Sequence, residues 1–112
     1  MTEVPTVSPN YSVKSIVTVA KGSDVQARLY TLAPGDVIPW HFHSQVTYWY
    51  FCLGGTLRIE TRAPQADERV AVGASYAIPP KTAHRISNGG ENDCRFLLLQ
   101  GVGSYDFNTV RD

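Results

Sequence analysis

Cysteine is scarce in this chain of 112 residues: Cys52 and Cys94 allow a single pairing, which excludes a disulfide framework. An excess of charge is missing as well. Ten Lys and Arg offset ten Asp and Glu without a basic run, so the electrostatic footprint of a nucleic-acid or anionic-membrane binder is absent. No apolar run approaches the roughly 18 residues of a membrane span. The N-terminal stretch MTEVPTVSPNYS carries Glu3, two prolines and no apolar core of signal-peptide length. These absences lead to the expectation of a soluble, cytoplasmic protein with small-molecule partners, both cysteines reduced and Cys52 acting as a small apolar filler.

Helical periodicity is also wanting: no stretch sustains an i, i+3, i+4, i+7 apolar stripe. Short runs rich in β-branched and aromatic residues recur instead, separated by Gly, Pro or Asn. SVKSIVTVA, VQARLYTLA, VIPWHFH, TYWYFCL and TLRIET read as strands. RAPQADER, residues 62 to 69, is the most polar segment and reads as a surface loop with at most one helical turn. VAV, SYAIPP, AHRIS and CRFLLLQGV follow as further strand-like pieces, with Asn88-Gly89-Gly90 as a turn. Residues 1 to 10 lack periodicity and read as an extended arm. The expected architecture is all-β, in one domain over residues 11 to 112, closed into a barrel or jelly roll so that its sheet edges are hidden.

Histidine is scarce too, with three in the chain, and its placement is informative. Two of the three histidines, His41 and His43, fall within PGDVIPWHFHSQVTYWYFCLGG, the stretch from Pro34 to Gly55. On a strand, residues i and i+2 share a face and lie about 6–7 Å apart, close enough to hold one metal ion. His84 lies beyond the following turns.

The run Gly35, five residues, His41, Phe42, His43 resembles the first cupin motif, which continues through a metal-binding Glu to a Gly matched by Gly55. Gly73, Pro79, His84 and Asn88 resemble the second motif at the family spacing. The resemblance implies a double-stranded β-helix, or jelly-roll barrel, with one divalent transition metal ion per chain (Fe, Zn, Ni or Mn) on His41, His43 and His84. Alone, such histidines would read as rim polarity and a turn residue. All three occupy the positions where the family keeps histidine ligands, which weakens that reading.

Two positions depart from the family. Tyr48 stands where the carboxylate ligand is expected, and Lys81 replaces a turn glycine. Tyr48 is the candidate catalytic residue, as a weak fourth ligand or as a proton donor; the plainer alternative is a core aromatic. Alternation sends Tyr50 and Cys52 to the same side as Tyr48 and gives Trp40, Phe42, Trp49 and Phe51 the other parity, which reads as sheet packing or a homodimer face. Arg28, Tyr30, Tyr50 and Gln100 are candidate substrate contacts, with Arg95 a weaker one, each against the alternative of ordinary strand polarity. The favoured function is a metal-dependent enzyme on a small oxygenated organic substrate, either three-histidine dioxygenase-like or a non-redox lyase or isomerase. A non-catalytic binding or sensing barrel is the alternative, and a metal-free structural barrel is a third reading.

Overall fold

The structure is a computed structural model, and it describes residues 3–7 (backbone only), 11–103 and 106–110. Eleven strands follow in chain order: β1 Glu3–Val7, β2 Ser12–Lys21, β3 Val25–Leu32, β4 Val37–Phe42, β5 Thr47–Gly54, β6 Thr56–Thr61, β7 Ala66–Ala71, β8 Ser75–Ile78, β9 His84–Asn88, β10 Cys94–Gly101 and β11 Asn108–Thr109. They form a six-stranded sheet in the order β1-β2-β3-β10-β5-β8 and a five-stranded sheet in the order β11-β4-β9-β6-β7. The fold is therefore all-β, as its alternating sequence dictates, and no helix among the described residues is long and apolar enough to cross a membrane.

Apolar side chains of alternate positions meet between the sheets. Leu57 and Ile59 of β6, Ile86 of β9, Leu32 of β3 and Phe96 and Leu98 of β10 are buried there, each burial contributing about 1.5–3 kcal/mol. Tyr30 and Phe96 stack with centroids 4.9 Å apart. Cys52 and Cys94 are buried and free, and burial beside Cys52 pushes the Cys94 thiol up to about 12.

Two segments differ from the reading by composition. Residues 3–7, expected within an arm, pair antiparallel with β2 and extend the chain's own sheet; residues 1, 2 and 8–10 lie outside the described residues. The polar segment 62–69 is a loop only in its first half, because Ala66 to Arg69 open β7. β7 is an edge strand with exposed side chains at Asp67, Glu68 and Arg69 and only Val70 buried, so its polarity is that of a solvated edge. Arg58 donates to Asp67 through Nε and Nη2 at 3.0 and 2.8 Å, which ties β7 to β6.

The outer face of the six-stranded sheet is apolar. Leu29, Leu97 and Phe51 stand side by side across β3, β10 and β5, and Ala27, Leu99, Trp49 and Ala77 form the next row. Phe51 is 37% and Leu53 52% exposed.

Candidate metal centre

Simple alternation would carry Ile38, Trp40 and Phe42 inward together and turn His41 out. The β4–β9 register prevents this: Ile38 faces Ile86 and His41 faces His84, so three residues of β4 span two of β9. This bulge at Pro39-Trp40 re-aims the strand. His41 is buried at 1% exposure directly opposite His84 at 0%, and His43 follows at 3%. Trp40 is turned to the outside of the sheet, where the guanidinium of Arg62 lies 4.0 Å and that of Arg85 5.2 Å from its ring centroid.

The three imidazoles come together, each offering one nitrogen, with these atoms all within 4.8 Å of one another. Every Nδ1 is committed to a backbone carbonyl: His41 to Pro39 at 2.6 Å, His43 to Asp106 at 2.6 Å and His84 to Thr82 at 2.8 Å. With Nδ1–H donating, Nε2 carries the lone pair in a neutral ring, the arrangement that metal-ligating histidines use. Nε2 of His84 is fully buried and makes no hydrogen bond, an arrangement that proteins rarely leave uncompensated.

Burial keeps all three rings uncharged. It pushes His41 down to about 2, with His84 as a repulsive neighbour, and His43 and His84 down to about 4. Three neutral nitrogens facing one another fit a divalent transition ion. Bonds of about 2.1 Å place two ligands at most about 4.2 Å apart, so the widest pair closes by a small ring rotation.

Stacking holds the rings in place. Tyr48, buried, lies against His43 at 3.7 Å between centroids and 22° between planes, and Phe107 lies against His41 at 4.2 Å and 16°. Phe107 and Asp106 escaped the sequence reading because they sit in an irregular C-terminal segment with no motif. That segment returns through β11, paired with β4 at Phe42 and His41. The Asp106 carboxylate is fixed by Ser44, whose N–H donates at 2.8 Å and whose hydroxyl donates to the other oxygen, and these bonds hold it below the usual carboxylate range.

The two departures from the cupin pattern have structural counterparts. Tyr48 faces inward with Tyr50, as alternation requires, and its ring takes the place beside His43. Lys81 has φ 67°, the left-handed conformation glycine adopts without cost and other residues at about 1–2 kcal/mol. Its N–H donates to the His43 carbonyl at 2.6 Å, so the turn before β9 is tied to the first pair of histidines. Gly55 keeps the family residue for a clear reason: with φ 69°, a Cβ there would lie 2.5 Å from the Asp93 carbonyl oxygen. Asn88 shapes its turn by donating to the carbonyls of Leu32 and Asn92 at 2.9 and 2.7 Å.

The candidate substrate residues divide into two groups. Tyr30 and Tyr50 border a void of about 10 Å³ with His41, Tyr48 and Phe107, less than a water molecule needs with comfort. Arg28 and Gln100 line a separate cavity of about 140 Å³ with Gln26 and Val46. Gln26 was not among the sequence candidates; its Nε2 donates to Gln100 Oε1, and its i, i+2 relation to Arg28 on β3 is the signal that would have found it. Arg95 is exposed and belongs to the outer face.

The family model described as the cupin domain matches residues 28–100, and the chain belongs to that family. Among curated proteins no match is found. KdgF from a Halomonas species is similar in fold at 19% identity and a TM-score of 0.76, with 93% of this chain and 90% of that chain covered. A conserved protein with a double-stranded β-helix domain from Klebsiella pneumoniae is similar at 17% identity and a TM-score of 0.77, covering 96% of this chain and 91% of that one. The oxalate decarboxylase of Bacillus subtilis is similar at 20% identity and a TM-score of 0.76 over 95% of this chain, which spans 29% of the larger protein.

Proposed function

We propose that this cupin is a metal-dependent enzyme on a small oxygenated organic molecule, with one ion of Fe, Zn, Ni or Mn on His41, His43 and His84. The observation that carries the reading is the set of three buried neutral imidazoles whose Nδ1 atoms are all anchored and whose His84 Nε2 has no hydrogen bond. The Mn(II) centres of the B. subtilis oxalate decarboxylase support manganese as one candidate. When bound, such an ion keeps its full formal charge on three neutral ligands and supplies Lewis acidity toward a chelating anionic or enolate-like oxygen.

The chain's own residues supply position and protons. Tyr48 holds the His43 ring by stacking and acts through its hydroxyl as proton donor to the bound substrate, a role tyrosine suits. Tyr30, Tyr50 and Phe107 keep the interior beside His41 dry. Dioxygenase-like cleavage and non-redox lyase or isomerase chemistry are both consistent with this set. The protein acts in the cytoplasm as a homodimer, and the apolar outer face of the six-stranded sheet supports the dimer.

The narrowness of the void at Tyr48 favours a second reading, a non-catalytic binding or sensing barrel. Turnover separates the two. Metal-loaded protein is assayed for oxygen uptake and product formation with chelating diketones and hydroxy acids, and Tyr48→Phe is expected to lose about 10²-fold or more in kcat at unchanged metal content. Full activity in Tyr48→Phe removes the proton-donor role; ligand binding without turnover of any such compound supports the sensing barrel.

A further inference from the structure

The histidine centre is closed in this conformation. The void beside His41 measures about 10 Å³, less than a water molecule needs with comfort and far less than any organic ligand requires. Its walls are of two kinds. Tyr30, Ile38, Tyr48, Tyr50 and Leu98 are buried residues of strands β3, β4, β5 and β10, and close packing between two sheets leaves them little room to move. Tyr11 and Phe107 complete the wall from outside that packing, each one residue ahead of a strand, β2 and β11. Both are only half-buried and lie against the margin of the core.

Phe107 is the wall that can turn. The chain on either side of it is fixed: the Asp106 carbonyl accepts from His43 Nδ1, the Asp106 carboxylate accepts from the Ser44 N–H, and β11 pairs with β4 at Phe42 and His41. Movement is therefore left to the side chain, which can exchange one staggered rotamer for another without breaking any of these bonds. The ring rests on Tyr11 at 5.7 Å between centroids and on His41 at 4.2 Å, within 16° of parallel to the imidazole. Ring contacts of this kind are individually modest. Turning the ring out vacates a space one aromatic ring thick, lying flat on His41 and bordered by Tyr11. A flat conjugated ligand recovers there the stacking that Phe107 gives up, whereas a puckered ring of the same size is too thick for it.

We propose that Phe107 is the gate and specificity-determining residue of this barrel: its ring swings away from His41 and Tyr11 to admit a small, planar, conjugated molecule, which takes its place against the imidazole. Chemical use of that ligand rests on the function proposed above; the gate does not, since its parts are Tyr11, His41 and Phe107 alone.

Diethyl pyrocarbonate tests the gate on chelator-treated full-length chain. The Nε2 lone pair of a neutral histidine attacks one carbonyl carbon of the reagent and keeps its ethoxycarbonyl group; the departing ethyl carbonate takes the imidazole proton and breaks down to ethanol and carbon dioxide. Peptide mass mapping follows the product on His41. Phe107→Ala is expected to speed this modification at least tenfold, while the buried thiols of Cys52 and Cys94 stay as slow toward a thiol reagent as in the parent. Modification of His41 at the parent rate would overturn the gate, as would an acceleration shared by both cysteines, which marks general loosening. If Phe107→Ala does not fold, Tyr11→Ala removes the ring that Phe107 rests on and carries the same expectation and the same disproof. Flatness is read by calorimetry on the parent chain, loaded with whichever of Fe, Zn, Ni or Mn it takes up and otherwise metal-free. Benzoate is expected to bind at least tenfold more tightly than cyclohexanecarboxylate, which carries the same carboxylate on a puckered ring; equal binding, or binding of neither, would overturn the planar specificity. A chain that takes up none of the four metals removes the enzyme reading, and the modification rates still decide the gate. A loaded chain whose folded variants are modified at the parent rate keeps the enzyme reading and loses the gate.

Discussion

The histidine centre gains its chemistry by being kept uncharged. An unfolded histidine titrates near 6.5, whereas His43 and His84 are pushed down to about 4 and His41 to about 2 in the fold. As pH falls below 6.5, the unfolded chain takes up protons that the folded metal-free chain refuses. Stability is therefore full above about 6.5 and is lost on acidification, by up to about 1.4 kcal/mol per pH unit for each histidine, until its folded value is reached. With three such groups, chelator-treated protein is expected to lose several kcal/mol between pH 6.5 and 4, a large share of a typical total of about 5–15 kcal/mol. Urea unfolding at a series of pH values measures this, and an unfolding free energy flat from pH 7 to 5 would sink the claim of buried neutral rings. His41 and His43 were legible because residues i and i+2 of a strand share a face, and His84 through the resemblance to the second cupin motif. Phe107 was not, since an aromatic on a strand-rich chain carries no mark of the partner it meets, and Gln26 was marked only by its i, i+2 relation to Arg28.

At the level of elements, two features place the site: the bulge in β4 and the return of the C-terminal segment. The strands around them were visible as alternating runs, but a bulge changes register by one residue and leaves no trace in composition. The polarity of residues 66 to 69 similarly spoke of solvent, which an edge strand and a loop share. The C-terminal segment contributes the Asp106 carbonyl under His43 and the Phe107 ring against His41. Ending the chain after Gly103 removes both and β11 with them. Metal affinity is then expected to fall about 10–100-fold, the usual cost of losing such supports, with the β-sheet circular dichroism retained. Unchanged affinity in a competition titration against a chromophoric chelator would show that the segment does not orient the imidazoles.

Across the whole molecule, the two faces of the six-stranded sheet play different parts. The inner face fills the barrel; the outer face leaves Leu29, Phe51, Leu97, Leu99 and Trp49 in one apolar field, of the kind that marks a protein interface. In the proposed homodimer, Phe51→Asp breaks this field and is expected to shift sedimentation from dimer to monomer at micromolar concentration, while a parent protein that already sediments as a monomer would contradict the assembly. Sequence parity had singled out Trp49 and Phe51 for this face, but it grouped them with Trp40, which belongs to the opposite sheet under Arg62 and Arg85. All these parts surround the three histidines, and elemental analysis of purified protein beside a His84→Ala variant measures whether they hold a metal. The parent chain is expected to hold close to one equivalent of a divalent transition metal, or to take one up on loading, and His84→Ala to lose it at unchanged fold; a parent protein that carries no metal and takes up none from Fe, Zn, Ni or Mn would rule the centre out.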